Sequence, residues 1–310
     1  MTRNIAASVH RRLLNQARAQ GRPFDELLQY FALERFLYRL GRSPYVANFV
    51  LKGALMFNVW QGASARSTRD VDLLGHLDSQ VASVVQAMRA VCQEESPEDD
   101  GLRFDEATVS GTSITEAAQY QGVRVRLSAT LGQARIHLQV DVGFGDILIP
   151  GPTWVQLPII LDNFPPPVLQ GYSRESVIAE KFQAIVYLGM LNSRMKDIYD
   201  IWSLAMQFNF DGPLLASALR ETFRQRQTPL QEMPVAFTPA FTTDPDKQVQ
   251  WRAFVRRLPQ DPAPPTLEVA VRGVAALLQP IVQAIVQGQD FERRWQPSGP
   301  RSTDVTLPLE

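Results

Sequence analysis

One stretch, Arg66-Ser67-Thr68-Arg69-Asp70-Val71-Asp72-Leu73-Leu74, constrains this chain more than any other. Acidic and apolar residues alternate in it, the period of a strand with one buried face. Asp70 and Asp72 then project from the same side, roughly 7 Å apart at Cα, while Val71 and Leu73 project into a core. Two carboxylates so placed suit a divalent cation, because Mg²⁺ takes oxygen ligands and keeps waters and substrate phosphates for its other positions. A polar strand end closing a loop has the same pattern, so the flanking sequence must decide.

Length and composition narrow the field. A chain of 310 residues buries a substantial core as one large or two small domains. Its net charge of −1 argues against coating nucleic acid by bulk charge, though not against a local basic groove. The one cysteine, Cys92, rules out an intramolecular disulfide framework or a cysteine zinc cluster and reads as a buried structural thiol. The N-terminus, with Arg3, Arg11 and Arg12 and no apolar run, reads as no signal peptide, and no stretch reads as the roughly 20 apolar residues of a membrane span. A cytoplasmic protein without a membrane partner is expected.

The first 45 residues read as two helices. Val9, Leu13, Leu14 and Ala17 form one stripe; Leu27, Leu28, Phe31, Leu37 and Leu40 form the next. Arg11, Arg12, Arg18, Arg22, Arg35, Arg39 and Arg42 decorate them, as a solvated face or as the border of a phosphate-rich ligand. Phe49-Val50-Leu51 is a short strand, followed by Lys52-Gly53-Ala54 and a helix from Leu55 to Trp60. Strand, glycine turn and helix N-terminus together offer backbone N–H groups to a phosphate, a weak signal by itself. Asp78 is placed to cap a helix carrying Val81, Val84, Val85, Met88 and Val91. Strands then follow at 103–109, 123–129 and 136–142, the last two joined by a turn at Leu131-Gly132-Gln133. His137, Gln139 and Asp141 occupy the polar face of the last strand, so Asp141 is either a third carboxylate for a metal site or a strand-end residue before Gly143.

A proline-rich linker (150–167) leads into a helical half, with 212–225 and 264–295 as further helices. Ser173 is placed to cap a helix from about Arg174 to Leu191, in whose apolar stripe Lys181 falls. A lysine there is costly unless it snorkels to solvent or reaches an anion, either a phosphate or a carboxylate such as Glu180 or Asp197. In Arg194-Met195-Lys196-Asp197-Ile198-Tyr199-Asp200, Asp197 and Asp200 share one helix face and read equally as a pair complementing the helix dipole.

Strand, Lys52-Gly53, helix, Asp70-x-Asp72 and a later strand aspartate resemble the polymerase-β-like nucleotidyltransferase superfamily. More narrowly, Lys52-Gly53-Ala54, Arg66 to Asp72, Glu180-Lys181 and Arg194 to Asp200 resemble, in order, the motifs of the AbiEii/AbiGii (MenT-like) toxin family over about residues 45–205. Where that family usually has a second glycine or a serine, this chain has Ala54, so backbone N–H groups alone would meet the phosphate there.

The resemblance implies an α+β fold: N-terminal helices (1–45), a polymerase-β-like core with a mixed or antiparallel sheet (46–150), a mainly helical C-terminal domain (151–295) and a flexible tail (296–310). It implies a toxin-type enzyme of a toxin–antitoxin (type IV-like) system that transfers NMP from an NTP to an acceptor, expected to be the tRNA 3′ end, with a cognate antitoxin as partner. Asp70, Asp72 and Asp141 would hold Mg²⁺, with Mn²⁺ as substitute. Lys181 and Asp197 would join them in catalysis, and Lys52, Gly53, Arg66, Thr68, Lys181, Lys196 and Asp200 would meet the NTP. Asp197 and Asp200 would position Lys181 and Lys196 or contact the base or ribose. A catalytically silent member that binds nucleotide or a partner, and transfer to a protein side chain, are the alternatives.

Overall fold

The computed structural model describes residues 4–62, 68–116, 120–258 and 265–297. The chain divides into two compact units, Met1–Asp146 with Pro152–Tyr172, and Ile147–Gly151 with Ser173–Glu310.

The first unit is built on a seven-stranded sheet in the order β3-β4-β5-β2-β1-β7-β6. Its strands are β1 (Phe49–Lys52), β2 (Asp70–Gly75), β3 (Leu102–Glu116), β4 (Tyr120–Leu131), β5 (Ala134–Phe144), β6 (Thr153–Gln156) and β7 (Val168–Gly171). The expected hairpin joins β4 to β5 with Leu131 opposite Ala134, and β2 runs antiparallel to β1 and parallel to β5. Alternation sorts the faces: Val71, Leu73, Val123, Val125, Leu127, Leu138, Val140 and Val142 are buried. Helices α1 (Ile5–Gln20), α2 (Phe24–Arg42), α3 (Ala54–Gln61) and α4 (Val81–Gln93) complete the unit, with α4 packed on β3 and β4 and α2 on β5 and β7. Cys92 is buried on α4 as expected, and burial pushes its thiol up to about 12. Asp78 does not cap α4. The capping position is Gln80, whose side chain makes no cap bond, and Asp78 accepts from the Gln80 N–H and the Ser83 hydroxyl instead.

Two arginines of α2 depart from a solvated face. Arg35 and Arg39 are buried around Asp100, which takes a two-point ion pair from Arg39 at 2.7 and 3.1 Å and a longer contact from Arg35 at 3.4 Å. Their charge is met by Asp100 inside the fold. Arg35 also donates to the Pro165 carbonyl, Glu34 accepts from the Ile160 N–H and the Tyr30 hydroxyl donates to the Pro158 carbonyl. These bonds hold the proline-rich segment within the sheet unit. That segment was expected to be a linker at the head of a helical domain; it carries β6 and runs directly into β7, with which β6 pairs.

Glu34 is 2% exposed, and burial raises its carboxyl to about 7, against 4.5 for an ordinary glutamate. The folded unit therefore holds a proton that the unfolded chain has released across that window. Stability contributed at Glu34 is fully present below about pH 4.5 and falls as pH rises to about 7, by roughly 3 kcal/mol. Urea midpoints for wild type and Glu34→Gln at about pH 5 and pH 8 read this directly. The variant, which keeps an acceptor for Ile160, is expected to lose most of the decline.

The second unit is helical: α5 (Arg174–Leu188), α6 (Met195–Gln207), α7 (Gly212–Gln225), α8 (Pro239–Thr242), α9 (Pro245–Val255) and α10 (Leu267–Val286). Ser173 caps α5 as expected, accepting from the Ser176 N–H at 3.1 Å. The last helix ends at Val286, short of the expected 295, and Trp295 forms a β-bridge to Phe210. Contrary to the sequence expectation, α10 is long and apolar enough to cross a membrane. Its Leu267, Val271, Val274, Leu278 and Ile281 positions are buried, and it packs against α6 and α7, as a core helix does.

Candidate active site

Four strands of the first unit place a row of charged side chains on the polar face of the sheet. Register pairs Arg124 with Asp141, Asp141 with Asp72 and Asp72 with Lys52, across β4, β5, β2 and β1. Neighbouring strands lie about 4.8 Å apart, so Asp72 and Asp141 are side by side. Asp70 lies one row along on the same face, opposite Gln139. Asp70 is exposed and Asp72 half-buried, while Val71 between them is fully buried. The Thr68 hydroxyl sits against the Asp70 backbone, 3.2 Å from its carbonyl oxygen and 3.4 Å from its nitrogen. Arg66 lies outside the described residues.

The Asp72 carboxylate rests on Gly53. A Cβ built on Gly53 would lie 2.0 Å from Asp72 Oδ2 and 2.7 Å from Cγ, and Gly53 has φ +70°. Only glycine fits both the space and the backbone. Gly53 is also the residue before α3, which receives no side-chain cap from the described residues; the Met56 N–H turns back to the Gly53 carbonyl at 3.3 Å, which leaves the Ala54 and Leu55 N–H groups to meet an anion. Lys52, just before it, donates to Asp146 Oδ2 at 2.8 Å, and the Tyr172 hydroxyl donates to the same oxygen at 3.1 Å. Asp146 and Tyr172 are buried anchors for Lys52 that the sequence pattern did not indicate.

Arg124 is the third residue missed. Its Nε and Nη2 donate to the two oxygens of Asp141 at 2.8 and 2.7 Å. Those bonds hold the guanidinium above its ordinary value, with the charges of Asp141, Asp70 and Asp72 adding to them. Asp141 therefore stands beside Asp72 as expected, but with both oxygens engaged. Among the described residues no three His, Cys, Asp or Glu side chains converge as a ligand set. The donor chemistry nonetheless fits a hard cation: an all-oxygen pair on one strand face, in a notch that a Cβ at Gly53 would fill.

Within the second unit, Lys181 of α5 donates to Asp197 Oδ1 at 2.7 Å and lies 2.9 Å from Asp200 Oδ2, both on α6. Burial alone would push the ammonium down, but the two carboxylates, Asp197 first, outweigh it and leave it raised. Arg194 takes the other Asp197 oxygen at 2.7 Å, where Lys196 was expected; Lys196 is exposed. Asp197 and Asp200 are buried, so Lys181→Met strands carboxylate charge in the core and is expected to cost about 3 kcal/mol. Adding Asp200→Asn should recover part of that loss in a urea titration, and a double variant no more stable than Lys181→Met would contradict the pairing.

Comparison with known proteins gives one family. The profile of the AbiEii nucleotidyl transferase toxin, type IV toxin–antitoxin system, matches residues 35–273. No curated protein matches the chain. A crystal structure from H. pylori described as a candidate nucleotidyltransferase is 14% identical, with a TM-score of 0.45, covering 83% of this chain and 95% of its own. A second, JHP933 from Helicobacter pylori, is 15% identical with a TM-score of 0.44, covering 82% and 90%.

Proposed function

This chain belongs to the AbiEii nucleotidyltransferase toxin family of type IV toxin–antitoxin systems, and on that footing we propose that it transfers NMP from an NTP to an RNA 3′ hydroxyl, most directly that of tRNA. The observation that carries this reading is the row Arg124–Asp141–Asp72–Lys52 with Gly53 beneath Asp72.

The acceptor hydroxyl gives its proton to solvent as its oxygen attacks the α-phosphorus, the bond from that phosphorus to the oxygen bridging it to the β-phosphorus breaks, and pyrophosphate leaves in line. Asp70 and Asp72 would hold Mg²⁺, with Mn²⁺ as substitute and Asp141 beside them; when bound, the ion neutralises phosphate charge and acidifies the attacking hydroxyl. The Ala54 and Leu55 N–H groups at the start of α3 receive triphosphate oxygens, which suits Ala54 because no side-chain hydroxyl is required. Lys52, fixed by Asp146, adds positive charge there. Arg124 holds both oxygens of Asp141 and aims the carboxylate along the row. Arg66, Thr68, Lys181, Lys196, Asp197 and Asp200 are assigned to the same transfer by their motifs. A cognate antitoxin and a cytoplasmic site of action belong to this reading.

Incubating the protein with each α-labelled NTP, Mg²⁺ and total bacterial RNA tests it. Label in tRNA-sized RNA is expected. Label on protein alone would place the acceptor on a side chain, and no label anywhere would leave a silent nucleotide- or partner-binding member.

A further inference from the structure

The polar face of β4 and β5 continues past Asp70 into a trough of about 550 Å³, wholly within the first unit. Its charged lining is uneven. Arg69, Arg126 and Arg135 face it, against Asp25 and Asp70, and none of these arginines has an ion-pair partner among the described residues. All three are exposed, unlike Arg124, Arg35 and Arg39, whose charge is spent on carboxylates. Arg126 lies opposite Gln139, and Gln139 opposite Asp70, so the trough starts one row from Asp72. Arg135, across from Thr130, is four residues further down β5 than Gln139, roughly 13 Å at strand rise.

The direction of this trough matters. In the strand order, Gly53 and Lys52 lie on the β1 side of the Asp70/Asp72 strand, and the trough lies on the β5 and β4 side. In-line displacement requires the attacking oxygen and the leaving pyrophosphate on opposite sides of the α-phosphorus. A triphosphate over Gly53 and Lys52 therefore leaves the trough side for the acceptor. Spaced guanidiniums along a groove match the repeating phosphates of a polynucleotide, and they do so without raising the net charge of the whole chain, which is −1.

We propose that the trough lined by Arg69, Arg126 and Arg135 seats the phosphodiester backbone of the acceptor RNA and leads its 3′ end to Asp70 and Asp72. This rests on the transferase reading above and adds the acceptor's location to it.

The test is binding of a fluorescein-labelled RNA hairpin with a single-stranded 3′ overhang, followed by anisotropy without NTP and with EDTA. Full-length wild type is compared with Arg126→Glu/Arg135→Glu and with Arg11→Glu/Arg18→Glu, which changes net charge equally at exposed α1 positions off the trough. At about 100 mM KCl the trough variant should bind at least roughly tenfold more weakly, with a salt slope shallower by about 1.5, and the α1 variant should match wild type. Equal losses in both variants, or unchanged affinity in the trough variant, overturn the proposal; the latter is also the outcome for a trough built to take an acidic protein. The two readings fail separately. Trough-dependent RNA binding by a protein that incorporates no nucleotide sinks the transferase reading and upholds the trough. Nucleotide incorporation by the trough variant with an unchanged KM for RNA upholds transfer and overturns the trough.

Discussion

Asp72→Asn is expected to abolish nucleotide transfer while leaving the protein folded. Asparagine keeps the size of the side chain and removes only its charge, and Asp72 is half-buried on β2 between Asp141 and Lys52. Losing the charge that would hold a cation at a phosphoryl-transfer site costs several kcal/mol of transition-state stabilisation, hence roughly a 10³-fold fall in rate. Stability should move the other way. Asp70, Asp72 and Asp141 share one face, and like charges there repel. The variant's thermal midpoint in EDTA should therefore equal or exceed that of wild type. Adding Mg²⁺ should raise the wild-type midpoint, because a ligand bound to the folded state stabilises it by mass action, and should raise that of Asp72→Asn much less. A variant that loses activity together with its melting transition would instead make Asp72 a structural residue.

Gly53→Ala carries the second large effect, for a different reason. The new methyl carbon would lie 2.0 Å from Asp72 Oδ2, far inside any contact, so the carboxylate must leave its place over the turn. The backbone adds strain, since φ +70° with ψ −149° is a region almost confined to glycine and costs about 1–3 kcal/mol for other residues. Gly62 separates the two causes. It has φ +60° and ψ −133°, yet nothing among the described residues lies within 4 Å of a Cβ there. Gly62→Ala should thus lose similar stability and keep its transfer rate, whereas Gly53→Ala should lose both, with activity down by roughly 10²-fold or more. Equal activity in the two variants, measured well below their melting transitions, would mean that the placement of Asp72 over Gly53 does not matter.

Much of this site was legible because strand periodicity is a local property. Alternation put Asp70 and Asp72 on one face and Asp141 on the polar face of its strand, and the Lys52-Gly53 turn followed from the strand before it. Arg124 was legible too, though unread. The turn at Gly132 fixes the hairpin register, and counting back from Leu131 opposite Ala134 brings Arg124 opposite Asp141. Arg35 and Arg39 could likewise have been found, because they follow Phe31 at helical spacing on the stripe that is buried. What that stripe could not reveal was Asp100, which comes from a distant loop to neutralise them. The same holds for Asp146 and Tyr172 at Lys52, and for β6 and β7, four residues each, the first inside the proline-rich stretch and the second just after it. Long-range pairing leaves no periodic trace in the chain that makes it.

The central claim is that this chain moves a nucleotidyl group, and parallel incubations with α-labelled and γ-labelled NTP test it most directly. RNA should gain label from the α-phosphate alone, with one pyrophosphate released per nucleotide added, in wild type and not in Asp72→Asn. Label arriving from the γ-phosphate, or α-label incorporation undiminished in Asp72→Asn, would contradict it.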